Sequence, residues 1–248
     1  MPPRYPFPWF VAIRLAGALI NREKRSFHQD ASRSASLLSP PIRISCEVNF
    51  PITGPSLITV NHYSRPGFRA WWLALGISAV VSAEIHWVIT SAWTYPDKLR
   101  THLITPLTSN ALRHIAQMYN FTCMPPMPPR IEDTQERAAA VRRVIALAKS
   151  SSQTIIGFAP EGRDPTIEDV YSPTTPPPGV GRLIYHLARL DYMIFPVAAF
   201  EADDRFCLNF GSPYRLNPPP GLNKNELDLW VSQVVMARIA NLLAANET

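Results

Sequence analysis

The chain has 248 residues, 46% of them hydrophobic and 17% charged, a balance that excludes a mostly disordered protein and calls for a sizeable core. Its three cysteines, Cys46, Cys123 and Cys207, lie far apart, which excludes a disulfide framework and the common cysteine-rich zinc sites and fits a reducing compartment. The 24 basic and 19 acidic residues leave a net charge of +5, and the first 45 residues, with seven basic side chains against two acids, account for all of it.

A basic end on a neutral body points to a polyanionic surface at one pole. The body carries neither a nucleic-acid module nor a stripe of basic and aromatic residues, so no nucleic-acid partner is expected. The first apolar run, Trp9 to Ile20 (WFVAIRLAGALI), spans twelve residues and is interrupted by Arg14. Crossing a bilayer takes about 20 apolar residues, so this run is too short to span one. No small-x-small site ends it, and basic residues follow it more than they precede it, which argues against a signal peptide. An interfacial helix accounts for the pattern. Trp9, Phe10, Ile13, Gly17 and Ile20 can face acyl chains while Arg14 snorkels, and Arg4 with Arg22, Lys24 and Arg25 meets anionic headgroups. A helix docked on the protein's own core fits the same pattern. Residues 26–41, serine-rich and closed by prolines, read as a linker or loosely packed loop. Residues 1–45 are therefore expected to form a basic amphipathic membrane-interface segment with its linker, and 46–248 an α/β domain.

From Ile42 the pattern alternates short apolar runs with helix-length amphipathic ones. IRISCEV and SLITVNH read as strands, the second nearly continuous in apolar residues, as a strand buried on both faces would be. A helix is expected within Phe68–Val81, opened by Pro66, then a strand over Ile85–Ile89 and helical material between Pro96 and Tyr119. The stretch CMPPMPP (123–129) cannot join a central ladder, because its four prolines lack donors. Asp133 and Glu136 suggest a capping box for a helix with Val141, Val144, Ile145 and Ala148 on one face. TIIGFAP reads as a buried strand. A proline-rich loop (Asp164–Pro178), a helix over Gly179–Leu190, the strands YMIFPVAAF and FCLNF, and a helix capped by Asn223 with Glu226 complete the chain. This alternation predicts one α/β domain with a largely parallel sheet flanked by helices.

No GxGxxG, GxxxxGK[ST] or GxSxG occurs, and no HExxH or close His/Asp cluster, so dinucleotide, P-loop, hydrolase and metal readings lack support. Two strand ends stand out instead, because ligands in open α/β sheets bind at the carboxyl ends of strands. The first is Val60-Asn61-His62-Tyr63-Ser64-Arg65-Pro66-Gly67. There His62 can act as a general base near neutral pH if its tautomer is held. The second is Phe158-Ala159-Pro160-Glu161-Gly162-Arg163-Asp164, which brings an acid, a flexible glycine and a guanidinium suited to phosphate onto one turn. Each alone is also compatible with an ordinary loop cap or a solvated turn.

In this order, behind a basic amphipathic amino terminus, the two segments resemble the first and later motifs of the glycerophospholipid acyltransferase family, Asn-His-x-x-Ser-x-x-Asp-like and Phe-Pro-Glu-Gly-Thr-Arg-like. Gly179-x-Gly181, the following helix and Ile194-Phe195-Pro196-Val197 are similar to the family's glycine, helix and "PVxPV" strand. The resemblance covers approximately residues 48–215. It implies acyl transfer from acyl-CoA or acyl-carrier protein as co-substrate, with no bound cofactor and no metal, to a lysophospholipid or related acceptor at the cytoplasmic face of a membrane. By the same resemblance His62 is the general base, Asn61 shapes the turn that presents it, and Asn61, Ser64 and Arg65 join the substrate site. Glu161, Gly162 and Arg163 build the acceptor site, with Arg163 on the phosphate.

The family's first motif carries an aspartate five residues after its histidine, and here that position is Gly67. No acid lies between Glu47 and Glu84. The Thr-Arg pair after Glu-Gly is replaced by Arg163-Asp164. The orientation an aspartate supplies must then come from Glu84, from Asp164 as a catalytic partner, or from a backbone carbonyl. Otherwise the chain is a catalytically impaired, lipid-binding scaffold. Trp71, Trp72, Trp87 and Trp93 could line an acyl tunnel or simply fill the core.

Overall fold

The computed structural model describes residues 4–21, 23–46, 50–51, 53–65, 67–93, 98–127, 130–162 and 176–245. The chain order is α1 (Trp9–Asn21), α2 (Phe27–Ala35), β1 (Arg43–Ser45), β2 (Ser56–Val60), α3 (Trp71–Val80), β3 (Ile85–Thr90) and α4 (Lys98–Tyr119). It continues through β4 (Thr122–Met124), α5 (Thr134–Ser150), β5 (Ile155–Phe158), α6 (Val180–Ala188), β6 (Met193–Ala202), β7 (Arg205–Phe210) and α7 (Lys224–Ala244). Among the described residues the strands form one sheet, in the order β1-β7-β6-β2-β5-β3-β4. Every pairing is parallel except that of β6 with β7. The chain is thus a single α/β domain with a mostly parallel, helix-flanked sheet, as the alternation of apolar runs predicts.

The two faces of the sheet hold separate cores. Ile58, Val60, Ile155 and Val197 pack with α2, α3 and α4 on one face, and Leu57, Ile156, Phe158 and Ile194 pack with α5, α6 and α7 on the other. From β2 and β3 the chain moves through α3 and α4 towards β4; from β4 and β5 it returns through α5 and α6 towards β6. Right-handed crossovers require these opposite directions to use opposite faces. The reversal falls between β2 and β5, and a doubly wound sheet opens its binding crevice at such a point. All residues of β2 and β5 are buried, which explains their nearly continuous apolar character; only Ser56 and Thr59 of β2 are polar. β4, the start of the proline-rich CMPPMPP stretch, takes an edge position. Pro196 lies inside β6, yet its carbonyl accepts from Gly211 N at 2.8 Å, on the β7 side, and the β6–β7 ladder begins only at Val197. Its missing donor therefore removes no ladder bond.

Two local expectations are corrected. The stretch read as a linker contains α2, whose Ser26 cap accepts from Gln29 N at 3.1 Å and which buries Phe27, Asp30, Ala31 and Ser34. Alanine, serine and an ion-paired aspartate make that buried face, so a scan for large apolar residues passes over it. Ala18, Phe27, Ala31 and Leu38 join the same core as α3. Asp133 forms no capping box: it sits in a helical backbone conformation and makes no side-chain cap bond, while Glu136 lies 3.5 Å from Arg113. The box expected at Asn223 and Glu226 is present. α7 is long and apolar enough to cross a membrane by length and composition, but Val231, Val235, Met236 and Ile239 form a buried stripe packed with α6 and β6.

Candidate active site

β2 and β5 are neighbours, and Thr59 lies opposite Phe158 in the parallel ladder. His62 and Glu161 each follow that pair by three residues, so their loops leave the same edge of the sheet on strands about 4.8 Å apart. Glu161 is buried, His62 is half-buried, and Gly162 takes a left-handed φ of +67° in a turn whose N–H donates to Ala159 O at 3.3 Å. Met127, from the proline-rich loop after β4, covers Gly162 from a third side: a Cβ added there would stand 3.3 Å from Met127 Cγ. Arg137 of α5 holds that loop by donating to the carbonyls of Pro125 (3.2 Å) and Pro126 (3.1 Å). Arg163 and Asp164 lie outside the described residues, as do Pro66 and most of the Asp164–Pro178 loop.

Asn61 is fully buried, and its amide is engaged on both sides by Ala199 of β6. Asn61 Oδ1 accepts from Ala199 N at 2.7 Å, and Nδ2 donates to Ala199 O at 2.8 Å. The residue therefore belongs to the scaffold, where it extends the β2–β6 ladder by a side chain just before His62. A direct substrate contact from Asn61 is excluded by this geometry.

Arg65 is also tied to β6. Its Nε donates to Glu201 Oε2 at 2.7 Å, and Tyr5 Oη donates to the other oxygen of the same carboxylate at 2.6 Å. The Arg65 guanidinium lies 5.6 Å from the Tyr5 ring, and Tyr5 packs edge-on against Phe68, which packs edge-on against Tyr63. Burial raises the Tyr63 hydroxyl to about 12, helped by the Glu201 charge, and burial together with the bond to Glu201 pushes Tyr5 further up. For Arg65, burial is the largest single influence and acts downward, but the bond to Glu201 together with the charges of Glu201, Tyr5 and Tyr63 raises the guanidinium overall. Sequence reading missed Glu201 and Tyr5. Glu201 had a signal, because it ends an apolar strand at the same mouth and so falls under the rule that singled out His62 and Glu161.

Gly67, at the position of the motif aspartate, has φ +85°, and a Cβ built on it would lie 3.3 Å from Arg65 Nη1. Glu84 cannot orient His62. It precedes β3, whose first residue pairs with Ile155 at the opposite end of the sheet, and its carboxylate binds Ser26 Oγ and His28 N. Trp72 and Trp87 are core: Trp87 lies across the bare Cα of Gly157, and its indole donates to Ser78 Oγ at 2.8 Å. Trp71 and Trp93 are different. With ring centroids 5.9 Å apart, they continue an aromatic chain through Phe7 to Trp9 near the mouth. A groove of about 470 Å³ lined by Tyr185, Arg189, Arg215 and Pro218 sits at the other edge, beside the start of β6.

The Gly179-x-Gly181 motif has a structural explanation. Gly179 takes φ +97°, and a Cβ on Gly181 would fall 2.1 Å from Asp228 O, so only glycine lets α6 and α7 approach this closely. The Asp228 carboxylate accepts from Gly179 N (2.6 Å) and Arg182 N (2.9 Å), capping α6 from another helix.

No family model and no curated protein sequence matches the chain. Among solved structures it is similar to the crystal structure of the 1-acyl-sn-glycerophosphate (LPA) acyltransferase PlsC from Thermotoga maritima. The sequence identity is 16%, the match covers 95% of this chain and 88% of that chain, and the TM-score is 0.51. The chain shares the fold of this glycerophosphate acyltransferase.

Proposed function

We propose that the protein is an O-acyltransferase that moves an acyl group from acyl-CoA or acyl-carrier protein to the hydroxyl of a lysophospholipid or glycerol-phosphate-type acceptor. The observation that carries this reading is the emergence of the His62 and Glu161 loops side by side at the switch point of the sheet. His62 accepts the hydroxyl proton as general base while the acceptor oxygen attacks the thioester carbonyl carbon. The tetrahedral adduct collapses, the carbon–sulfur bond breaks, and the leaving thiolate takes the proton back from the imidazolium. No acyl-enzyme and no bound cofactor enters this scheme. By resemblance, Glu161, Gly162 and Arg163 form the acceptor side with Arg163 on the phosphate, Ser64 lies on the loop of the base, and Asp164 is the catalytic partner of His62.

The surface around the mouth supports membrane docking. Trp9, Phe10 and Ile13 are exposed on α1, with the Arg14 guanidinium 5.5 Å from the Phe10 ring, and Phe7 links them to Trp71 at the start of α3. Exposed aromatics beside basic side chains suit the headgroup boundary of an anionic bilayer. Held there as a peripheral protein on the cytoplasmic face, the mouth would meet its acceptor in the lipid.

The test is product formation from a panel of lysophospholipids and acyl thioesters. Wild type is expected to turn over at least one pair and His62→Ala none; unchanged turnover in His62→Ala defeats the mechanism. A second reading, a lipid-binding scaffold with impaired catalysis, is favoured by the glycine at position 67 with its left-handed backbone. Vesicle binding without turnover on any panel member would establish it.

A further inference from the structure

The loop that carries His62 is fastened to β6 on both sides of that residue. Before it, the Asn61 amide holds the Ala199 backbone; after it, Arg65 holds Glu201. The second fastening joins residues 136 positions apart and is closed by Tyr5, from a third part of the chain. Arg65 and Glu201 are largely buried, at 23% and 11% exposure, so the pair keeps its geometry with little competition from water. At position 67 the backbone disfavours any side chain, and the Arg65 head lies where an aspartate would first extend.

We infer that the Arg65–Glu201 pair, braced by Tyr5, is the positioning device for the His62 loop in a chain whose position 67 carries no aspartate. Arg65, Glu201 and Tyr5 are positioning residues: they set the path of residues 62–65 and so the placement of the imidazole. The inference deepens the acyl-transfer reading and rests on it for its kinetic consequence, whereas the loop restraint stands on the geometry alone. It carries a counter-intuitive corollary. Restoring the family residue with Gly67→Asp would place a carboxylate against Arg65, in competition with Glu201, and loosen the loop instead of orienting the ring.

Two measurements on the full chain test this. In amide hydrogen exchange, Glu201→Gln is expected to raise exchange in residues 62–65, 67 and 68 about tenfold while β2 and β5 change by no more than about threefold. In kinetics, Glu201→Gln and Arg65→Gln are each expected to lower kcat about tenfold with KM within about threefold, the double variant to lose little more than either single one, and Arg65→Lys to recover part of the rate. Gly67→Asp is expected to lower kcat. If Glu201→Gln loosens the whole molecule, Tyr5→Phe, which removes one bond to the same carboxylate, takes its place and is expected to raise loop exchange several-fold. Unchanged loop exchange, or a Gly67→Asp variant faster than wild type, overturns the inference. A wild type with no turnover defeats only the acyl-transfer reading, and loop exchange then decides the positioning role.

Discussion

Two parts of the molecule use the same three side-chain chemistries, an arginine, a carboxylate and a tyrosine hydroxyl, for different ends. Under α2, Asp30 receives Arg25 at 2.8 and 2.6 Å and Tyr119 Oη at 2.8 Å, and Arg33 stands 3.8 Å away. At the mouth, Glu201 receives Arg65 and Tyr5. Asp30 is 2% exposed and is reached in fork geometry by an arginine five residues earlier, with Tyr119 joining from 89 positions away, so this cluster is almost dry and joins two stretches of chain. The Glu201 cluster is wetter and draws together three distant stretches of chain. The first ties a helix to the body, and the second sets the course of a loop. The same chemistry therefore shows up in stability at one place and in reaction geometry at the other.

The comparison can be broken most forcefully at Asp30. Asp30→Ala leaves Arg25 without its buried partner and is expected to cost about 3–5 kcal/mol in denaturant unfolding, with kcat per folded molecule unchanged. Acid attacks the frame in a different way. His86 is buried next to Thr122, with Nε2 2.9 Å from Oγ1, and burial, aided by the Arg143 charge, lowers its imidazole from 6.5 to about 4. Because the unfolded chain takes up this proton near pH 6.5 and the folded one only near 4, the contribution is complete above pH 6.5 and is lost on acidification towards pH 4. The loss is about 3 kcal/mol, and unfolding of His86→Gln measured across that window should lack this component.

Smaller effects sharpen the contrast. Glu201→Gln is expected to cost only about 0.6 kcal/mol of stability by the same unfolding assay, although its effect on loop exchange is larger. Smallest of all is the triple variant Trp9→Ser, Phe10→Ser, Ile13→Ser, whose side chains are 70%, 62% and 69% exposed. Its stability should change by no more than about 0.5 kcal/mol per site, while co-sedimentation with anionic vesicles should fall several-fold. Undiminished sedimentation would retire the docking role of α1.

The parts of this arrangement that were legible in advance are those written in local runs. SLITV and IIGF are mostly apolar because helices cover both faces of the sheet there, and that placed His62 and Glu161 at strand ends. The Asn223–Glu226 box could be read from three-residue spacing. α2 was not legible, since its buried face is built from alanine, serine and a paired aspartate, and hydrophobic periodicity has little to register there. Glu201 was not recognised because its meaning lies in Arg65 and Tyr5, 136 and 196 positions away. Nor does a sequence tell that the Asn61 amide reads backbone atoms and is thereby withdrawn from substrate.

The borrowed cap on α6 has a consequence for biosynthesis. Asp228, which satisfies the first amides of that helix, emerges from the ribosome well after it. A nascent polypeptide released only as far as β7 would carry an α6 with a frayed beginning and a sheet face still lacking α7. Maturation of the mouth then waits for the last helix to dock, and partial translation products are expected to engage chaperones until Asp228 arrives.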